Sequence, residues 1–210
     1  TGNYVFQLND SDYVQISGFR MQNAYSGTTV SNGFYNLVSG NRITGTVHGI
    51  QVTGRSRSNT FQNNVLAQNG YGVYVGGDSF YGNPNSVLNN TFASNSSAGV
   101  YFDTYVWGCT LRNNIIWQSG GGYALYDADN GTTLSLAVST SDYNLFHVTG
   151  GAKLGYYLGE LTTLLSWRRV TGKDSHSLND DPLFVDAVGG DYHLQASSPG
   201  IDTGYGDAGA

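Results

Sequence analysis

The 210-residue chain has the length of one domain, with 11% charged residues, 30 Gly, 16 Tyr and a net charge of −6. This composition excludes a disordered chain, which would be highly charged and poor in aromatics, and a collagen, which would need periodic Gly with abundant Pro. Nine Lys and Arg in total are too few to neutralise a phosphate backbone, which excludes a nucleic-acid partner.

The chain opens on an alternating segment, Tyr4-Val5-Phe6-Gln7-Leu8, followed by Val14-Gln15-Ile16; both read as strands. From there a motif recurs without gaps: Ser17-Gly18-Phe19-Arg20-Met21, Ser39-Gly40-Asn41-Arg42-Ile43, Gln62-Asn63-Asn64-Val65-Leu66, Leu88-Asn89-Asn90-Thr91-Phe92 and Arg112-Asn113-Asn114-Ile115-Ile116. Its centres, at 19, 41, 64, 90 and 114, are 22, 23, 26 and 24 residues apart. A second motif keeps the same beat: His48-Gly49-Ile50-Gln51-Val52, Tyr71-Gly72-Val73-Tyr74-Val75, Ala98-Gly99-Val100-Tyr101-Phe102 and Tyr123-Ala124-Leu125-Tyr126. Two motifs with one period define a solenoid. Apolar residues alternate within each motif, so the repeats are strands rather than helices, and a period near 23 residues holds three short strands and three turns per coil. Ile50, Val52, Val73, Val75, Val100 and Phe102 are expected to point inward in columns, so that stability comes from stacking. The Asn column at 41, 64, 90 and 114 has two expected roles: occupying bends with positive φ, and hydrogen-bonding from coil to coil. Cys109 lies in a strand-like run and reads as a buried, inert thiol.

Residues 147–180 break the repeat. Leu161, Leu164, Leu165 and Arg168 fall at helical spacing before Gly172, which predicts a short helix near 160–170 that covers the last coil. The tail then carries Asp181-Pro182-Leu183-Phe184-Val185-Asp186, Asp191-Tyr192-His193-Leu194 and Ser198-Pro199-Gly200-Ile201-Asp202-Thr203-Gly204. The expected architecture is therefore all-β: a right-handed parallel β-helix of stacked three-strand coils over 1–146, then an insertion, a last coil and a capping tail over 147–210.

These repeats and the tail motifs resemble the pectate lyase-like superfamily of right-handed parallel β-helices, and within it the bacterial β-helix-repeat proteins. The resemblance implies an extracellular or cell-surface protein of bacterial type. It also implies activity on, or binding of, a polysaccharide in a groove on the outside of the coils. Natural members carry an N-terminal cap, and this chain opens directly into a strand, so it is expected to be the C-terminal part of a larger chain. No apolar run is long enough to span a bilayer.

The turn after the second motif stacks the polar residues of greatest chemical interest: Arg55 and Arg57, then Asp78, then Asp103 with Tyr105 and Trp107, then Asp127 and Asp129. On successive coils these would form a strip about 15 Å long. Asp103 and Asp127 are the candidate acid/base pair. Arg55, Asp78, Tyr105, Trp107 and Asp129 are candidate ligand contacts, and calcium is the metal such carboxylates would suit. The only lysines, Lys153 and Lys173, lie in the insertion, so no lyase base falls on a coil. His48-Gly49 sits on the repeat motif and Asp180-Asp181 in a turn before Pro182; both read as structural. Two functions remain open: a lyase or glycoside hydrolase module, or a non-catalytic carbohydrate-binding, adhesive or structural domain.

Overall fold

The computed structural model describes residues 2–77, 84–129 and 137–206. Three parallel sheets run the length of a solenoid, each strand pairing with its counterpart one coil away. The first sheet stacks Tyr4–Asn9, Ser26–Ser31, His48–Thr53, Tyr71–Val75, Ala98–Phe102, Tyr123–Asp127 and Lys153–Tyr156, with Glu160–Leu161 added antiparallel at its end. The second stacks Gln15–Ser17, Leu37–Ser39, Thr60–Gln62, Ser86–Leu88, Cys109–Arg112 and Val138–Asp142. The third stacks Arg20–Gln22, Arg42–Thr44, Val65–Ala67, Thr91–Ala93, Ile115–Ser119, Leu145–Thr149 and Leu178–Asn179. The expected right-handed parallel β-helix is thus the fold, and its first and third sheets continue past residue 146.

Strands this short bury only one or two side chains each, so the core is assembled by register. Ile16, Val38, Phe61, Val87 and Leu111 align across the second sheet, and Met21, Ile43, Leu66, Phe92, Ile116 and Phe146 across the third. Each is at most 4% exposed, so every coil shields the apolar face of the next. In the first sheet the column Ile50, Val73, Val100 and Leu125 faces these two. Beside it runs a column of small residues, Gly27, Gly49, Gly72, Gly99 and Ala124. A Cβ on Gly72 would lie 2.5 Å from both the Gly99 carbonyl oxygen and Phe92 Cδ1, so the close approach of coils requires the missing side chain.

The Asn column behaves differently from the expectation in one respect. Asn41, Asn64, Asn90 and Asn114 do hydrogen-bond from coil to coil, but they do not supply the positive φ. That falls one residue earlier, at Gly18, Gly40, Asn63, Asn89 and Asn113, with φ between 54° and 78°. These bend residues project outward, whereas the ladder residues turn inward and are at most 2% exposed. Two further ladders occupy the other corners: Asn36, Asn59 and Asn85 before the second sheet, and Asn69 and Asn95 after strands of the third, continued by Gln118 near the end of strand Ile115–Ser119. All three fill corners where the chain turns too sharply for its own amides to pair within the sheet.

At the C-terminal end the predicted helix is present as Leu164–Thr171. It is opened by a capping box between Thr163 and Ser166 and closed by Gly172 at φ 67°. Trp167, 1% exposed, lies over Gly155 of the last first-sheet strand and donates its indole N–H to Asp174 at 2.8 Å. Asp174 also accepts from Ser141, Asn144 and Ser177, ending the central Asn ladder on a buried carboxylate. The tail forms a hairpin, Phe184–Asp186 with Asp191–Leu194, that runs back along the third sheet. There Phe184 meets Trp117 and Arg42 donates to the Gly190 carbonyl at 3.0 Å. No helix among the described residues is long and apolar enough to cross a membrane.

Candidate functional site

The turns after successive first-sheet strands do lie on one side of the solenoid, as the repeat requires. Strand alternation then decides which way each side chain points. Asp103 follows Phe102 and is on the outer face, half-buried. Its Oδ2 accepts from the Tyr74 hydroxyl at 2.6 Å and its Oδ1 from the Thr104 amide at 2.8 Å. Asp127 instead stands in register with Phe102, on the core side, and is 1% exposed. Its two oxygens accept from the backbone amides of Asp129 and Ala137, at 2.9 and 2.7 Å. Burial pushes its pKa up to about 6, against the pull of those two amides.

The structure therefore does not bring Asp103 and Asp127 together as an acid/base pair. Asp129 is also buried, at 2% exposure, so it is not an open ligand contact. The physical reason is the period of two: a shift of one position along the strand reverses the face. Arg55 is exposed, with its amide held by Asn32 Oδ1 at 3.1 Å. Tyr105 is 57% exposed at φ 67°, and Trp107 is half-buried in the same turn as Asp103. Asp78 lies outside the described residues. Among the described residues no group of three or more His, Cys, Asp or Glu side chains is placed to hold a metal ion.

A more coherent surface lies on the outer face of the first sheet. In one register column Tyr74, Tyr101, Tyr126 and Tyr156 follow one another on four consecutive strands. Their rings stack with centroids 5.1, 4.9 and 4.6 Å apart and planes within 11° of parallel. Such pairs each contribute about 0.5–1.5 kcal/mol beyond area burial. Burial, then the charge of Asp103, raises the Tyr101 hydroxyl pKa to about 12 and that of Tyr74 further still, so both are neutral donors at physiological pH.

The neighbouring column reads His48, Tyr71, Ala98, Tyr123 and Lys153. His48, 6% exposed, stacks on Tyr71 at 5.4 Å, and burial lowers its pKa. It is a structural member of the aromatic face, as the repeat motif implied. Ala98 interrupts this column. Where a ring is missing, a depression of about 420 Å³ opens, lined by Tyr71, Tyr101, Tyr123 and Tyr126 with Ser96, Ser97 and Gly122 at one end. Tyr123 donates its hydroxyl to Glu160 at 3.1 Å, and Glu160 pairs with Lys153 at 3.3 Å, which fixes that wall. The sequence pointed to Tyr105 beside the Asp strip but did not single out these four. Alternation sets Tyr74 opposite in facing to Val73 and Val75, and so could have found the Tyr74 column, but it breaks at Gly72 and would have placed Tyr71 with Val73.

The comparison with known families agrees with the fold. A family model described as "Right handed beta helix region" matches residues 2–116, more than half of the chain. No curated protein and no solved structure matches it.

Proposed function

The chain belongs to the right-handed β-helix family, and from that premise we propose that it is an extracellular polysaccharide-binding domain whose glycan site is the tyrosine-lined depression beside Ala98. The observation that carries this reading is the concave space walled by Tyr71, Tyr101, Tyr123 and Tyr126, where Ala98 stands in register between Tyr71 and Tyr123. Tyrosine suits such a site because it offers a rigid apolar body for the C–H faces of a sugar and a hydroxyl for its polar edge. The interior rings of the Tyr74–Tyr156 stack face one another, so they present edges and hydroxyls outward. The open space lies where Ala98 leaves Tyr71 and Tyr123 without a neighbour between them.

The charge around the depression favours a neutral glycan. Asp103 and Glu160 flank it, and the nearest cation in the columns, Lys153, is already paired with Glu160. Binding is preferred over catalysis because hydrolysis or elimination needs two titratable groups on one groove, and the inward turn of Asp127 removes the partner assigned to Asp103.

The test is calorimetric titration with a panel of soluble neutral polysaccharides, comparing the native chain with Ala98→Tyr. That substitution sets a third ring in register between Tyr71 and Tyr123, two walls of the depression. The expected result is saturable binding to at least one polysaccharide, weakened at least about tenfold in the variant while its thermal midpoint is kept. Absence of binding across the panel, or equal binding by Ala98→Tyr, overturns the reading.

A further inference from the structure

The tyrosine stack of the first sheet has a property that sugar binding does not use. Tyr74 ends the stack on its N-terminal side, because its register partner one coil back is Gln51 rather than another ring. From Tyr74 the rings of Tyr101, Tyr126 and Tyr156 follow face to face, with Tyr71 and Tyr123 packed edge-on beside them. Parallel rings with centroids 5.1 Å apart or less are in van der Waals contact. An electron can therefore pass from ring to ring without crossing solvent or an aliphatic side chain.

A tyrosine is hard to oxidise while it keeps its phenolic proton, because the radical cation so formed is a strong acid. Oxidation becomes accessible where a base is placed to take that proton. Within the stack, Tyr74 has such a base. Its hydroxyl donates to Asp103 Oδ2 at 2.6 Å, the length of a short, charge-assisted bond. Asp103 is held in position on both sides: its amide donates to the Val75 carbonyl at 2.8 Å, and its Oδ1 accepts from the Thr104 amide at 2.8 Å. Burial, then the hydrogen bond to Asp103, raises the Tyr74 pKa above the usual phenol range, so the proton stays on the ring until an electron leaves. Tyr123 also donates to a carboxylate, Glu160, at 3.1 Å. Lys153 pairs with Glu160 at 3.3 Å and makes it the weaker base.

We propose that the stack is a redox site, at which a one-electron oxidant of the peroxyl-radical class takes an electron from an open ring and the electron deficit moves along the stack to Tyr74. There the phenolic O–H bond breaks. Its proton passes to Asp103 Oδ2, Tyr74 is left as a neutral tyrosyl radical, and the oxidant has become the peroxide anion. Tyr101 and Tyr126 line the open depression and are the rings an oxidant reaches. Several oxidisable rings thus drain to one proton acceptor, which makes Tyr74 the resting place of the radical. The inference does not rest on glycan binding, and its test is run with no polysaccharide present.

The experiment is flash photolysis of the whole chain with a ruthenium polypyridyl complex and persulfate as the one-electron oxidant. The tyrosyl radical is followed by its absorption and by freeze-quench EPR. The native chain is expected to form a long-lived tyrosyl radical, more slowly in heavy water than in water. Tyr74→Phe keeps the ring but has no phenolic proton, and Asp103→Asn keeps an acceptor but not a base. Each is expected to slow formation of the long-lived radical at least about tenfold. Tyr101→Phe leaves Tyr74 and Asp103 in place but sets a ring too hard to oxidise in the path, and is expected to lower the radical yield. Tyr13→Phe, at an exposed tyrosine away from the first sheet, is expected to change neither rate nor yield. Thermal midpoints of the variants separate lost electron transfer from lost folding. Equal rates in the native chain, Tyr74→Phe and Asp103→Asn would remove Tyr74 as the radical site. An undiminished yield in Tyr101→Phe would end the relay along the stack. A rate unchanged in heavy water would exclude proton transfer to Asp103 as part of the step.

Discussion

Asp127 stands in register with Phe102, so a carboxylate takes the place in the core column that Val52, Val75 and Phe102 hold in the preceding coils. Its oxygens clasp the amides of Asp129 and Ala137, one on each side of residues 130–136. The charge is therefore retained in the interior to satisfy backbone donors, at a cost that shows as a raised pKa.

That cost gives a pH dependence with a definite sign. Asp127 protonates near 3.8 in the unfolded chain and about 6 in the fold. Between those values the fold binds more protons, so this residue's contribution is greatest in acid and declines as pH rises from about 4 to about 6, by roughly 3 kcal/mol. His48 acts in the opposite sense, because burial lowers its pKa and it gains stability as pH rises toward 6.5. The difference between the native chain and Asp127→Asn isolates the aspartate. In urea unfolding the Asp127→Asn variant is expected to gain about 2–3 kcal/mol relative to the native chain between pH 4 and pH 7. A difference that stays flat across that range would remove Asp127 as its source.

The ladder residues and the bend residues make separable contributions. Asn64 donates both its amide N–H and its side-chain N–H to Asn90 Oδ1, each at 3.0 Å, and Asn90 donates to the Phe61 carbonyl at 2.8 Å. Asn90→Ala orphans buried donors and an acceptor together, and is expected to cost about 2–4 kcal/mol. That should lower the thermal midpoint by roughly 6–12 °C. Asn63→Gly, at φ 55° one residue before the ladder, should leave the midpoint unchanged or slightly raised. Equal losses in the two variants would mean that bend and ladder are one unit.

Glycines divide along the same line. Gly40 has φ 63° and open space where a Cβ would project, so Gly40→Asn, which copies Asn63, Asn89 and Asn113, should be nearly neutral in a thermal melt. Gly72 lacks that space. Gly72→Ala drives a methyl against Gly99 and Phe92 and should cost about 1–3 kcal/mol. A neutral Gly72→Ala would show that adjacent coils can separate without loss.

The coil period, the strand content, the inward columns and the helix over the last coil were all legible in the sequence, because each repeats or follows a local rule. The period is carried by residues as different as Asn64 and Gly72, and Gly172 ends the helix as its position implied. One Asn ladder was legible and two were not, although Asn36, Asn59 and Asn85 keep a similar spacing; they lack the flanking Asn that drew attention to Asn63-Asn64. The facing of Asp103 and Asp127 was misread for a simpler reason. Asp127 aligns with Phe102 and not with Asp103, and a one-residue offset moves a carboxylate from solvent to core. The contact of Tyr205 with Arg112 was beyond reach, because Tyr205 is remote in sequence and its return to that strand depends on how the whole tail lies against the coils.

The return of the tail changes how the stack holds together. In an array of coils each layer touches only the layers beside it, so disorder can begin at either end and advance one layer at a time. The bond from Arg42 to Gly190 joins the second repeat to the tail that follows the last one, and Tyr205 adds a further tie to Arg112 midway. Fraying at the C-terminal end must therefore peel the tail away from early coils first. A row of near-independent layers becomes a laced bundle that opens as a unit, which holds the outer faces of the sheets rigid for whatever they bind.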